Sequence, residues 1–189
     1  MIKEFILASA SPQRKLLLEQ IGFEPKLICP ANIDETPYKA EKPTAYIKRM
    51  ALEKAKFVAE KYPNNVVLAC DTIIVCNRKI IQKANSDLEQ TEIMKLLSGK
   101  AHKVMSAVCV IDKKGKERIK INTTKIIMKR LSEKDIKKYV ETHEWVGCAG
   151  YKIEGCLAAL VKKMIGSYSG VVGLPLYETK NLLESTGII

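Results

Sequence analysis

Arginine is scarce in this 189-residue chain: five of the 32 basic residues are arginine and 27 are lysine. Tryptophan occurs once, histidine twice and phenylalanine three times. Sequence-specific nucleic-acid recognition draws on clustered arginine and stacking aromatics. The net charge of +11 therefore reads as a lysine-rich solvated surface, and stable nucleic-acid binding is not expected. Small anionic partners, nucleotides among them, remain compatible with it. The six cysteines (Cys29, Cys70, Cys76, Cys109, Cys148 and Cys156) form no CxxC pair, and His102 and His143 are not spaced as their ligands. That argues against a zinc site. Four of the thiols fall in apolar or strand-like settings, which suits free cysteines in a reducing cytoplasm. No apolar run reaches membrane-spanning length. The segment after Met1-Ile2-Lys3 is too short for a signal peptide, and Glu4 interrupts it. A cytoplasmic protein without membrane association is expected. The Rossmann and Walker A glycine patterns are missing too, as are internal repeats.

Against these absences stands one feature. Residues 66–75 form a β-branched, apolar run with a single charge, Asp71. Such a run predicts a strand buried on both faces. An unpaired carboxylate there is costly or shifts its pKa upward. A catalytic or metal-binding aspartate is expected, with a scaffold aspartate paired to lysine or backbone amides as the alternative.

Phe5-Ile6-Leu7-Ala8 predicts a short buried strand, Ser9-Ala10-Ser11 a turn, and residues 12–21 a helix. Ser11 suits the N-cap, Pro12 the first helical position and Gly22 the stop. Arg14 and Lys15 in the first turn oppose the helix dipole. They are well placed if an anion sits there, held by free N–H groups, serine hydroxyls and the guanidinium. A phosphate site is expected. A strand over 26–29 and a loop over 30–43 follow, the loop carrying Asp34 and Glu35. Thr44 then caps a helix to about Tyr62, with Ile47, Ala51, Ala55, Val58 and Tyr62 as its apolar stripe. At about 100° per residue Lys54 lies about 20° from Ile47. It either snorkels outward or reaches along the core toward Asp71 or a phosphate.

Beyond the central run, a turn at residues 77–79 predicts a hairpin returning through Ile80 and Ile81. Ser86 or Asp87 caps a helix to Leu97, closed by Gly99. Residues 103–111 and 118–128 read as a second hairpin, and Ser132 with Asp135 opens a helix to about Thr142. Residues 157–164 are expected as a strand. Residues 166–173 read as a small-residue loop where backbone can approach a ligand, and Pro175 starts a last helix.

Taken together the blocks resemble the Maf family of nucleoside triphosphate pyrophosphatases over essentially the whole chain. Leu7 to Arg14 is similar to the family's LASxSPxR signature, and Ala69 to Ile74 to its strand bearing the catalytic aspartate. Ser98 to Val104 is similar to its SGxxHxV segment. Ala149 to Gly155, Gly166 to Tyr168 and Val171 to Leu176 resemble its closing blocks. The resemblance implies one domain over 1–189, an α/β fold with a mixed sheet, flanking helices and two lobes around a cleft. That architecture is related to the inosine triphosphatase group. It implies hydrolysis of nucleoside triphosphates to monophosphate and pyrophosphate with a divalent cation, magnesium or manganese, on Glu35 and Asp71. By position Asp71 is implied as general base, with Glu35, Lys54 and Lys83 as charged active-site residues and Ser9, Ser11 and Arg14 on phosphate. A homodimer is compatible with it.

Three family positions are implied to read the base. They carry Arg, Thr and Gln in the branch acting on dTTP and UTP, and Trp, Gln and Glu in the branch acting on 7-methyl-GTP. Here they are Gln13, Thr72 and Glu154, matching neither set. Lys83 is followed by Ala84 where the family usually has proline. The alternative from a different class is a non-catalytic nucleotide-binding regulator linked to septum formation. Intact Asp71, Lys54 and Glu35 argue against it.

Overall fold

The computed structural model describes residues 4–187. Met1-Ile2-Lys3, where the comparison with a signal peptide begins, lie outside the described residues. In chain order the elements are β1 (Phe5–Leu7), α1 (Pro12–Gln20), β2 (Leu27–Ile28), α2 (Pro43–Lys61), β3 (Val66–Cys76), β4 (Lys79–Ile81) and α3 (Asp87–Leu97). Then come β5 (Ala101–Ile111), β6 (Glu117–Met128), α4 (Glu133–Val140), a 3₁₀ turn (Cys156–Leu160), β7 (Val161–Ile165), α5 (Tyr168–Val172) and α6 (Leu176–Glu184). One mixed seven-stranded sheet runs β2-β1-β3-β5-β6-β7, with β4 also paired to β3. The expected α/β class with a mixed sheet and flanking helices is what forms.

The apolar run becomes the central strand because it can bury both faces. On one face Val67, Ala69, Ile73 and Val75 pack beneath Ile47, Met50, Ala51 and Val58 of α2. On the other, Val66, Leu68 and Cys70 pack with Leu17 and Leu18 of α1 and Leu182 and Leu183 of α6. Farther along that second face, Ile74 and Cys76 join Met94 and Leu97 of α3 and Tyr139 of α4. Asp71 and Thr72 fall between these clusters, on opposite faces of the strand.

The pairing of β3 explains how a central strand can reach a ligand. One edge is covered by β5, register Val67↔Ile111 through Val75↔Lys103. The other edge takes β1 only as far as Leu7↔Leu68 and β4 only from Ile74↔Ile81. Between Leu68 and Ile74 the second edge has no strand against it among the described residues, so the sheet is notched at Asp71.

Several elements differ from the sequence expectation. The long helix is capped at Lys42, with Pro43 in its first turn, rather than at Thr44; the fixed φ of proline suits the first helical position. Residues 156–160 are a 3₁₀ turn and only 161–165 pair as a strand. The Cys-Leu-Ala-Ala-Leu stretch has no β-branched residue to favour a pleated surface. The small-residue stretch is not a loop: Tyr168–Val172 closes into a short helix, capped by the Ser167 hydroxyl accepting from the Gly170 N–H. The capping box of Ser132 and Asp135 forms as expected.

Candidate active site

The notch opens into a cleft of about 1000 Å³, at the upper end of volumes typical of small-molecule sites. Ser9 and Ser11 line it from the turn between β1 and α1, Gln13 and Arg14 from the start of α1, Glu35 from the loop after β2, and Lys54 from α2. Asp71 and Thr72 form its floor on β3, Lys83 enters from beyond β4, and Glu154 from the segment before the 3₁₀ turn. The candidate residues of the sequence reading, Lys15 excepted, thus line one cavity.

At its centre Lys54 Nζ donates to Asp71 Oδ1 at 2.6 Å and lies 2.8 Å from Glu35 Oε1. Lys54 and Asp71 are both buried, at 9% and 8% exposure. Lysine therefore takes the sharper of its two predicted courses, along the core. Burial acts to lower the Lys54 ammonium's pKa, but Asp71 and Glu35 outweigh it and leave it raised. Burial pushes the Glu35 carboxyl up. The hydrogen bond and charge of Lys54, with the charges of Lys83 and Arg14, overcome this and hold it below its usual range. Tyr46, also from α2, is pushed to about 12 by burial and then by the Asp71 and Glu35 charges.

The start of α1 is built differently from its sequence expectation. Ser11 occupies the N-cap, but its hydroxyl donates to Gln13 Oε1 at 3.2 Å and accepts no N–H of the first helical turn. Ser9 Oγ accepts from the Ser11 N–H (3.2 Å) and from Arg14 Nη1 (2.8 Å), which leaves its own proton for a ligand. Arg14 Nε donates to the Gly173 carbonyl at 2.9 Å. Lys15 points away, in an exposed pair with Glu19 at 3.3 Å, and does not line the cleft.

Gly173 joins the two halves of this wall. Its carbonyl takes Arg14 and the Cys70 thiol (3.1 Å), and its φ of 133° is one that side chains rarely adopt. Ser106 Oγ donates to the Gly170 carbonyl at 2.7 Å. Its one proton is thereby used, so the 2.8 Å bond to Thr72 is donated by Thr72. Thr72 then meets a ligand as an acceptor. Gly170 and Gly173 do approach something closely, but it is this hydroxyl and guanidinium set.

Among the described residues no three His, Cys, Asp or Glu side chains converge as a metal cage. All six cysteines are free. Cys70, Cys76 and Cys109 are buried, and Cys156 is exposed. No described helix is long and apolar enough to cross a membrane.

The sequence model of one family, described as Maf-like protein, matches residues 4–186. The chain belongs to the Maf-like protein family. This Maf-like chain is 43% identical over 188 residues to a protein of Zymomonas mobilis named dTTP/UTP pyrophosphatase, covering 99% of this chain and 93% of the relative. A Caulobacter vibrioides protein of the same name is 44% identical over 183 residues, covering 96% of this chain and 95% of the relative. Among solved structures, a HAM1 protein from Coxiella burnetii superposes with a TM-score of 0.56 at 15% identity. The alignment covers 97% of this chain and 99% of that one, and it shows a shared fold.

The sequence reading of this Maf-like chain missed Tyr46, Ser106 and the carbonyl of Gly173. Tyr46 had a signal: with Met50 and Lys54 it repeats every four residues, a second stripe beside the one through Ile47. Gly173 and Ser106 had none, because their partners lie between 34 and 159 residues away.

Proposed function

We propose that the chain hydrolyses nucleoside triphosphates between the α- and β-phosphates, releasing the monophosphate and pyrophosphate. The observation that carries this reading is the Lys54 ammonium bridging Asp71 and Glu35 at the floor of a cleft whose rim bears Arg14 and Lys83. The two relatives bear the name of such an enzyme. A non-catalytic regulator would need no such floor.

A divalent cation, magnesium or manganese, fits the donor set. Glu35 and Asp71 offer hard carboxylate oxygens without a closed cage, which suits an ion that completes its shell from phosphate and water. When bound it supplies charge neutralisation at the reacting phosphate. Asp71, paired with Lys54, accepts the proton of the water that attacks the α-phosphorus. The bond from that phosphorus to the bridging oxygen breaks, and pyrophosphate leaves toward Arg14, Lys54 and Lys83. Ser9 donates its free proton to a phosphate oxygen.

Turnover across GTP, 7-methyl-GTP, UTP, dTTP and CTP, read as pyrophosphate release, tests the activity. No release above blank from any of them, with magnesium or manganese, overturns it.

Arg14→Ala separates phosphate binding from nucleoside binding. A charge-assisted contact is worth about 1.5–3 kcal/mol, so affinity for a non-hydrolysable triphosphate is expected to fall about 10- to 100-fold. Nucleoside affinity stays nearly unchanged. Equal losses would mean that Arg14 acts by shaping the wall through Gly173.

Base selectivity rests mainly on Glu154. An ionised carboxylate accepts only, as Thr72 does here. It favours N–H donors such as guanine's N1–H and amino group, and repels the carbonyl oxygens of uracil and thymine. Glu154→Gln is expected to move kcat/KM toward UTP and dTTP by about tenfold or more, since mispaired polar groups cost a kcal/mol or more. An unchanged pyrimidine-to-purine ratio would show that Glu154 does not read the base.

A further inference from the structure

Between Ile28 and Pro43 the chain forms no helix or strand beyond a turn at Lys39–Ala40. Loops of this length are mobile unless something holds them. Yet this one carries Glu35, whose carboxylate must meet Lys54 to within hydrogen-bond distance. The holding contacts come from α2. Tyr46 donates its hydroxyl to the Glu35 carbonyl at 2.8 Å. Arg49 makes a two-pronged pair with Glu41, Nε to Oε1 at 2.8 Å and Nη2 to Oε2 at 2.7 Å. The same Nη2 donates to the Thr36 carbonyl at 3.2 Å, and the guanidinium lies 3.8 Å from the centre of the Tyr38 ring.

This pair differs from the lysine pairs that dot the surface. The side chains of Arg49 and Glu41 are only 15% and 9% exposed, so the contact is largely desolvated and geometrically specific. Glu41 Oε2 also accepts the Tyr38 N–H at 3.0 Å, so one carboxylate ties the guanidinium to the loop backbone. Tyr46, Arg49 and Lys54 lie on one helix, whose buried face is seated on β3. Helix and strand are the rigid parts; the loop is the part that needs locating.

We propose that Tyr46 and Arg49 are positioning residues for Glu35: from α2 they clamp the loop on both sides of it and so set its carboxylate against Lys54. Neither reaches the reacting atoms in this role. Tyr46 fixes the backbone of Glu35 itself, and Arg49 fixes the chain from Thr36 to Glu41. The inference rests on the reading of Glu35 as an active-site carboxylate, and its central test does not depend on turnover.

The first measurement is hydrogen exchange on the folded chain. Tyr46→Phe keeps the ring in the core and removes only the hydroxyl, so the fold is retained. Exchange of the Thr36 and Tyr38 amides is expected to speed up about tenfold, while β3 and β5 stay protected. Arg49→Met should do the same more strongly, and Arg49→Lys, which keeps charge without the fork, should fall between. Wild-type exchange in both Tyr46→Phe and Arg49→Met overturns the clamp.

The second measurement is a kinetic cycle. Tyr46→Phe is expected to lower kcat about fivefold to tenfold with KM within about twofold. In a Glu35→Gln background the same change should cost nothing further, because the residue being positioned has gone. Losses that multiply would mean a general effect on the fold and overturn the positioning role. If the wild type hydrolyses no triphosphate, the proposed activity fails, and the clamp stands or falls on exchange alone.

Discussion

Asp71→Asn is expected to cut pyrophosphate release by about 10²–10⁴, the range for loss of a positioned general base. Nucleotide affinity should stay within a few-fold of wild type. The isosteric amide fills the same space on β3 and can still accept a hydrogen bond from Lys54. That ammonium keeps its charge partner in Glu35 at 2.8 Å, so no buried cation is stranded and the fold survives. The measurement is single-turnover pyrophosphate release at saturating substrate, beside a thermal melt of the same preparation. A folded variant within tenfold of wild type would make Asp71 a scaffold residue, the alternative that its sequence setting also allows.

Lys54→Met is expected to lower stability as well as activity. Removing one partner of a buried pair leaves the other charge without compensation, typically at about 3–5 kcal/mol. The open cleft lets water reach both carboxylates, so the lower end applies, about 3 kcal/mol. For a chain of this size that is a fall in Tm of about 6–12 °C. Adding Asp71→Asn should recover part of the loss by removing the stranded charge. The pH dependence follows from the directions of the shifts. In the wild type, Lys54's raised pKa contributes stability that is full below its ordinary value of 10.5 and lost as pH climbs through the folded value. Glu35's lowered pKa contributes stability that is full above its ordinary value of 4.5 and lost as pH falls through the folded value. Between them the wild type is flat with respect to this cluster. In Lys54→Met the Glu35 carboxyl meets burial without the ammonium that held its pKa down, so that pKa rises and stability should improve as pH falls toward the ordinary value of 4.5. Melts across that range, without divalent ions, decide it. A variant that parallels wild type at every pH would mean that the cluster is too well solvated to matter.

Local patterns were enough for the central strand, for the helix bearing Lys54 and for the Ser132 capping box, because each rests on burial period or on contacts within a few positions. They also marked Asp71, a carboxylate in an apolar run, and Arg14, a cation at a helix start, as anomalies readable one segment at a time; Glu35, Lys83 and the base-reading positions were named only through the family resemblance. Local pattern failed at residues 156–160 and 168–172, where short, small side chains carry almost no period and capping by Ser167 tips the balance.

By itself, then, the sequence determined most of the elements and three side chains out of keeping with a plain scaffold: Asp71 in its apolar run, Lys54 beside its apolar stripe and Arg14 at its helix start. Only the tertiary structure decided that they meet. The notch at Asp71 exists because, on the same edge of β3, pairing with β1 ends at Leu68 and pairing with β4 begins at Ile74, a matter of strand pairing that no single segment encodes. The same holds for the direction of Arg14, drawn to a carbonyl 159 residues away, and for Thr72 as an acceptor, settled by the one proton of Ser106. Hydrogen bonds are satisfied wherever the fold brings donor and acceptor together, and sequence separation has no part in that choice.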